Sequence, residues 1–416
     1  MKLINRFFYC IVLIFIIVIP AACSSETKNI EAVEAEAVNA SANNAIQITE
    51  NDFIQQDKNE LKEITFFNND IILYDINYGI DDVEHYDYYT QNIITGENII
   101  TGENKAVPSL ADYYTANYVG IVNDKVLLAL QNISTDKSRL ARYTLNLIDL
   151  SDQTNTILSQ WDEGYYEIGL QKLDNNTVMM FRPTDTKTGY KYSFQTINIQ
   201  NKELKDFLTT EYNKVENVGD VACTYCIDGE KIYIYSTHYN KEDTPRQSIF
   251  VYNRKGDLLN EYKFDLNEQL DSIKSYFNDN NVRDSVVEIY KYGDYILLGT
   301  QHMIYYLFKE SNEGLTEVNL PDELKQPLNY HLASNNLNAD AGKIYFYDKT
   351  KKVIVFDTNT LTTRRIDLEL PEGYEKYRIE SMYIDDSGKV LISIDNLHEE
   401  AKRINKFVVL SNESFT

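Results

Sequence analysis

A short hydrophobic pattern recurs along most of this chain: one or two turn-forming residues are followed by a run of β-forming residues. The pattern occurs seven times, at intervals of about 46 to 64 residues. The turn residues that open these runs are Asn69-Asp70, Asn123-Asp124, Asn175-Asn176, Gly229-Glu230, Gly293-Asp294, Gly342 and Gly388. Similar runs lie before and after most of them, so each repeat predicts a group of four antiparallel strands.

The runs are apolar on consecutive residues, as at 232–235 and 344–347, instead of alternating with polar residues. This pattern predicts sheets whose two faces are both buried between neighbouring sheets. The sequence therefore predicts an all-β fold, a single β-propeller of about seven four-stranded blades over residues 45–416, with six or eight blades as near alternatives. Two stacked β-sandwiches are the rival architecture. The β-forming run at 45–49 is predicted to complete the last blade and close the ring.

The period and pattern resemble those of seven-bladed WD40- and YVTN-like repeat domains over nearly all of the chain beyond the N-terminal segment. The resemblance implies a ring of blades that presents one face to a ligand. Two signatures of related families are missing, because the WD dipeptide does not recur (Trp161 is the only tryptophan) and no double glycine of the kelch type is present.

The N-terminal segment has the composition of an export signal over residues 1–22. Lys2 and Arg6 precede an apolar run at 7–19, which is shorter than the roughly 20 residues that span a bilayer. Pro20-Ala21-Ala22 then precedes Cys23, which resembles the lipobox of bacterial lipoproteins, although Pro20 stands where that pattern usually has leucine. The resemblance implies a lipid, such as palmitate, on Cys23 and an extracytoplasmic protein held at the cell membrane.

Residues 23–44 are small, polar and acidic, and we expect a flexible tether there. The whole chain carries a formal charge of −24. Such a charge repels nucleic acid and anionic headgroups, so we expect no nucleic-acid partner. The expected partners are the membrane, through the lipid, and a protein or glycan on one propeller face, for which the many loop tyrosines offer aromatic contact area.

Three histidines are candidate metal ligands. His238 and His302 each come nine residues after the glycine of their repeat, which places them at equivalent positions on neighbouring blades, and His331 enters the next blade on the same face. Oligogalacturonate lyases are seven-bladed propellers that hold a metal with histidines, so an alternative function is a carbohydrate-active lyase or hydrolase. No motif of that family occurs here, and ordinary polar loop histidines explain the same residues. No cofactor is therefore expected.

Cys223 and Cys226 have the spacing of a possible disulfide, or they are two separately packed thiols. Residues three apart in a regular strand point to opposite faces, so a disulfide would need a turn between them. Farther along, Leu266, Leu270 and Ile273 have helical spacing, which predicts a helix in a loop insertion over 266–284. Since no catalytic motif is present, the sequence favours a binding or scaffold module over an enzyme.

Overall fold

The computed structural model describes most of the chain beyond the predicted tether. The described residues are 44–53, 63–68, 71–80, 83–94, 99–100, 105–106, 113–132, 141–149, 154–163, 169–185, 189–213, 223–239, 245–278, 284–333, 342–385, 387–396 and 405–415. The predicted signal peptide, Cys23 and the tether up to residue 43 lie outside these ranges. No helix within the described ranges is long and apolar enough to cross a membrane.

The described strands form sheets of consecutive antiparallel strands, numbered here in chain order. The first sheet contains β2 (Glu63–Asn68), β3 (Ile71–Ile80), β4 (Val83–Ile94), β5 (Ile99–Ile100) and β6 (Lys105–Ala106). The second contains β7 (Tyr113–Val122), β8 (Lys125–Asn132), β9 (Ala141–Asp149) and β10 (Thr154–Glu163). The third contains β11 (Gly169–Lys172), β12 (Thr177–Asp185), β13 (Gly189–Asn198) and β14 (Leu204–Asn213).

The same order continues through the second half of the chain. The fourth sheet contains β15 (Cys223–Asp228), β16 (Lys231–Tyr239), β17 (Pro245–Asn253) and β18 (Leu258–Phe264), and the fifth β19 (Val286–Tyr292), β20 (Tyr295–Thr300), β21 (Tyr305–Ser311) and β22 (Gly314–Val318). The sixth contains β23 (His331–Leu332), β24 (Lys343–Tyr347), β25 (Lys352–Asp357), β26 (Thr362–Glu369) and, from the N-terminus, β1 (Asn44–Gln47). The seventh contains β27 (Arg378–Ile384), β28 (Val390–Asp395) and β29 (Asn405–Leu410). Short 3₁₀ turns lie at Glu50–Asp52, Asp322–Lys325 and Asn412–Phe415.

Each sheet packs between its two neighbours, as the consecutive apolar residues predicted. In β16, Ile232 and Ile234 pack toward the third sheet, whereas Tyr233 and Tyr235 pack toward the fifth. The seventh sheet contacts the first through a cluster in which Leu391 and Phe407 join residues of β2 and β3. This contact closes the ring, and the fold is a single all-β propeller.

The number of complete blades differs from the prediction. Of the sheets in the described ranges, six have four or five strands, and the seventh has three. The predicted seven four-stranded blades are thus corrected to six, accompanied by one three-stranded sheet. The physical reason lies at the N-terminus, where β1 runs parallel to β26 as an extra strand of the sixth sheet and so does not complete the seventh. A bridge between Phe53 and Val408 joins the N-terminal segment to β29 at one point.

The predicted helix in the loop insertion is confirmed as α1 (Asn267–Phe277). Leu270 and Ile273 are buried against the fourth and fifth sheets, together with Leu266 just before the helix. The helix ends at Asn278, whose left-handed conformation (φ 52°) lets its backbone N–H cap the Lys274 carbonyl.

Glu310 links the fourth and fifth sheets through a network of polar contacts. Its two carboxylate oxygens accept hydrogen bonds from the Tyr233 and Tyr262 hydroxyls, each at 2.8 Å. Lys291 Nζ lies 3.2 Å from Oε2, and the Lys291 side chain is only 4% exposed. Although burial acts to raise the pKa of Glu310, the two tyrosine hydrogen bonds and the charges of Lys291 and Lys231 together lower it.

We expect Glu310→Gln to destabilise the chain by about 2–4 kcal/mol, because it leaves the buried Lys291 ammonium without its counter-ion. Urea denaturation followed by circular dichroism measures this loss. Glu313→Gln, on the exposed turn that follows β21, is the matched control and should shift stability by less than about 0.5 kcal/mol. Equal denaturation midpoints for Glu310→Gln and the unsubstituted chain would contradict the assignment.

Candidate functional site: the central channel

The first strands of the second to fifth sheets line a cavity of about 450 Å³, called here the channel pocket. Its lining comes mainly from β7, β11, β15 and β19 and comprises Tyr118, Val119, Gly169, Leu170, Gln171, Phe181, Cys223, Thr224, Tyr225, Cys226, Ile227, Val287, Glu288, Ile289, Tyr290, Lys291 and Ala333. Each of these four strands pairs on one side only. Their other edges therefore carry backbone N–H and C=O groups that no neighbouring described strand uses.

Two charged side chains line the channel pocket, and they differ in their partners. Lys291 is neutralised by Glu310, donates a hydrogen bond to the Gly293 carbonyl and lies over the Tyr233 ring, 5.5 Å from its centroid. Glu288 forms no ion pair or hydrogen bond with any described residue. The pocket therefore carries one carboxylate that the described part of the chain leaves uncompensated.

The position of the Glu288 carboxylate depends on the glycine opposite it in the sheet. Glu288 pairs with Gly299 of β20, and a Cβ at that glycine would stand 2.9 Å from Glu288 Oε2. The absent side chain thus leaves room for the carboxylate. A register shift between Val286 and Glu288 brings Glu288 into this pairing.

Four polar side chains of the pocket lack hydrogen bonds to described residues: Gln171, Thr224, Glu288 and Tyr290. They come from three different sheets and surround one space. Tyr225 differs, because its hydroxyl donates to the Met179 carbonyl at 3.3 Å. Burial, followed by the nearby Glu288 charge, raises the pKa of the Tyr290 hydroxyl, which therefore stays protonated and able to donate. The pocket can thus offer a ligand both donors and acceptors.

The structure places the three predicted histidines at separate local contacts. His238 lies near the end of β16, opposite Arg246 of β17. The structure describes its backbone but not its side chain. His302 Nδ1 is 2.9 Å from Asp284 Oδ1. His331 stacks on Tyr347 with ring centroids 5.3 Å apart, and burial followed by the charge of Lys349 lowers its pKa.

None of the three histidines is among the residues that line the channel pocket. Within the described ranges, no three side chains of histidine, cysteine, aspartate or glutamate gather closely enough to hold a metal ion. The metal site at these histidines therefore stays a prediction from the sequence alone.

The possible disulfide between Cys223 and Cys226 is not formed, and both residues are free thiols. They lie in β15, which pairs with β16 in unbroken register, so the turn that a disulfide requires is missing. Cys223 packs toward the third sheet and Cys226 toward the fifth, as residues three apart in a strand should. Burial raises the pKa of both thiols, which makes them weak nucleophiles.

Sequence reasoning missed the pocket residues, although a signal for them exists. The sequence predicts β19 only as a strand that precedes the turn of its repeat. Glu288 and Lys291 make β19 a strand of mixed composition, in contrast to the apolar strand that follows its turn. Charged residues on the strand nearest a propeller axis are the signal that points to the channel.

No family model matches the chain, and no curated protein matches it. Among solved structures, the acylaminoacyl peptidase of Pyrococcus horikoshii aligns with a TM-score of 0.50 and 13% identity, covering 85% of this chain and 51% of that one. The chain thus spans about half the length of that peptidase. The β-propeller domain of the Trilobed protease from Pyrococcus furiosus aligns with a TM-score of 0.49 and 11% identity, covering 84% of this chain and 92% of that one.

An oligogalacturonate lyase from Vibrio parahaemolyticus aligns with a TM-score of 0.47 and 12% identity, covering 88% of this chain and 93% of that one. Likeness at such low identity concerns the fold alone. The activities in these names therefore assign no activity to the channel pocket.

Glu288→Gln should stabilise the folded chain near neutral pH. Burial raises the pKa of the Glu288 carboxyl, so folding favours the protonated form, and the folded chain loses stability as pH rises from the ordinary glutamate pKa through the raised one. Tyr290, Tyr292 and Tyr305 are ionisable groups close enough for Glu288 to raise their pKa values further, and burial keeps all three neutral in this range.

The measurement is the melting temperature of the two proteins from acid to neutral pH. The difference in favour of Glu288→Gln should be absent below the ordinary glutamate pKa of about 4.3 and should grow as pH rises. A difference that does not change with pH would show that the carboxylate is not desolvated.

Proposed function

We propose that this chain is an extracytoplasmic lipoprotein whose propeller binds a glycan in the channel pocket. The observation that carries the proposal is the group of polar side chains without described partners, Gln171, Thr224, Glu288 and Tyr290. All four side chains are partly exposed in the cavity, so their polar groups are available there to hydrogen-bond a ligand.

The size and composition of the pocket favour a glycan over a protein surface as the ligand. A volume of about 450 Å³ lies within the range of small-ligand pockets and suits a short segment of chain. Tyr118, Tyr225 and Tyr290 supply aromatic rings for the apolar faces of sugars, while the free strand edges and polar side chains match sugar hydroxyls. A broad protein interface would need a much larger contact area.

The N-terminal sequence supports the membrane-anchored part of the proposal. A lipid on Cys23 would hold the chain at the outer surface of the cell membrane. About twenty residues separate Cys23 from β1, so the anchor would keep the propeller near the membrane surface and its glycans.

One contact favours the alternative function, a carbohydrate-active enzyme. The hydrogen bond between His302 Nδ1 and Asp284 Oδ1 orients the imidazole and leaves Nε2 as the nitrogen that could accept a proton or a metal. Neither residue lines the channel pocket, where the polar groups without described partners gather. Binding in the channel is therefore the proposed function.

The lipid anchor is tested by metabolic labelling with an alkyne fatty acid and by membrane fractionation. The unsubstituted chain should carry the label and sediment with membranes, whereas Cys23→Ser should lose both properties because no thiol accepts the lipid. Cys10→Ser, within the predicted signal peptide, is the control and should behave like the unsubstituted chain. Retention of the label in Cys23→Ser would contradict the proposal that this chain is a lipoprotein.

Glycan binding is tested on an oligosaccharide array, followed by calorimetry with the best ligand. Replacing both Gln171 and Thr224, as Gln171→Ala with Thr224→Val, should weaken binding by roughly 5- to 150-fold, because two hydrogen bonds contribute about 1–3 kcal/mol. The matched control is Gln160→Ala with Thr156→Val on the outer strand β10, where both side chains are exposed, and it should bind normally.

Two results would contradict the glycan proposal. One is equal affinity in the pocket variant and the control variant. The other is a failure of every oligosaccharide to bind while a protein partner is recovered by cross-linking to the propeller, which would favour the protein-binding alternative.

A further inference from the structure

The uncompensated charge of the channel pocket restricts the chemistry of its ligand. Glu288 and Lys291 are the charged residues of the lining, and Lys291 is held by Glu310 at 3.2 Å. An anionic ligand would meet the Glu288 carboxylate without a free cation in the lining to balance it. A cationic ligand would meet a carboxylate that no described residue neutralises, so the electrostatics of the pocket favour positive charge.

We propose that the channel pocket binds its ligand through a protonated amine placed against the Glu288 carboxylate. The inference rests on the proposed glycan-binding function and specifies it: the ligand is an amino sugar with a free ammonium group. A lysine-containing peptide carries the same ammonium chemistry and is the other source that the test must distinguish.

The surroundings of Glu288 fit an ammonium group. Glu288 and Tyr290 are two residues apart in β19 and so lie on the same side of the strand. The carboxylate supplies oxygen acceptors, the Tyr290 hydroxyl oxygen supplies another, and the unpaired edge of β19 adds backbone carbonyls. An ammonium donates three hydrogen bonds, and these groups can receive all of them.

A divalent metal ion fits the same place less well. Calcium binds about six to eight oxygens and usually several carboxylates, whereas Glu288 is the single carboxylate of the lining. No metal-binding group of three such side chains exists within the described ranges. The tyrosine rings of the pocket can also attract an organic cation through their π faces.

The partial burial of Glu288 should also make the pocket discriminate strongly between a charged amine and a neutral amide. Removal from water raises the pKa of this carboxyl, so its ionised form is poorly solvated in the pocket. An ammonium that enters replaces the missing water with charge-assisted hydrogen bonds, which are among the stronger kind in proteins. A neutral amide at the same position, as in an N-acetylated sugar, cannot do so.

The test compares three ligands by calorimetry with the purified chain near neutral pH: a glucosamine tetrasaccharide, its fully N-acetylated counterpart and a lysine tetrapeptide. The glucosamine oligomer should bind at least about tenfold tighter than the acetylated one. Glu288→Gln should cost the glucosamine oligomer about 10- to 100-fold in affinity, the usual effect of losing a hydrogen bond to a charged group. It should weaken the acetylated oligomer clearly less, because only a neutral hydrogen bond changes there.

Two variants complete the design. Glu317→Gln, on the outer strand β22, removes the same charge away from the channel and should leave all affinities unchanged. Glu288→Asp keeps the charge but shortens the side chain, and it should retain the preference for the free amine at reduced affinity.

Each outcome separates the inference from the function on which it rests. Equal binding of both sugars, unchanged by Glu288→Gln, would keep the glycan function and overturn the ammonium contact. Binding of the lysine peptide alone, dependent on Glu288, would uphold the ammonium contact and overturn the glycan. Failure of all three ligands to bind, or an equal loss in Glu317→Gln, would overturn the inference.

Discussion

Burial of both faces of every sheet is the constraint on which this structure depends. A sheet in the ring has a neighbour on each side, so adjacent residues of one strand enter different cores, as Ile232 and Tyr233 do. Polar groups between sheets must then find partners there. Glu310 does so between the fourth and fifth sheets. Arg254 does so between the third and fourth, where it bonds Asp174 at 2.8 Å.

The same constraint produces the channel pocket. The innermost strands converge on the axis, yet each pairs only with the second strand of its own sheet, so their free edges face a space that side chains do not fill. Two of these inner strands, β7 and β19, also contain register shifts in their pairing with the next strand. The ring thus supplies strands that line a cavity, and a few residues on these strands set the chemistry of its lining.

The repeat pattern was sufficient to predict the propeller, because consecutive apolar residues such as 344–347 indicate a strand that is buried on both faces. Turn positions were predictable for a similarly local reason: Asn123 and Asp124 adopt positive φ (48° and 62°) between β7 and β8. The pairing of β1 was not predictable. A strand of four residues can add to any exposed sheet edge, and the choice of β26 depends on tertiary contacts that the local pattern does not contain. The pocket was not predictable from the pattern either, because its residues come singly from several sheets and form no sequence motif.

Two glutamates of the fifth sheet show why a missing partner is informative. Glu310 is largely buried, but two tyrosine hydroxyls and Lys291 compensate its charge, and its pKa is lowered. Glu288 lies on the same sheet without such partners among the described residues, and burial raises its pKa. Two tyrosine hydroxyls and a lysine thus neutralise the desolvated carboxylate of Glu310, whereas no described residue does so for Glu288. Folding stability alone would favour glutamine or an apolar residue at Glu288, and the proposed ammonium ligand would supply the positive charge that no described residue supplies there.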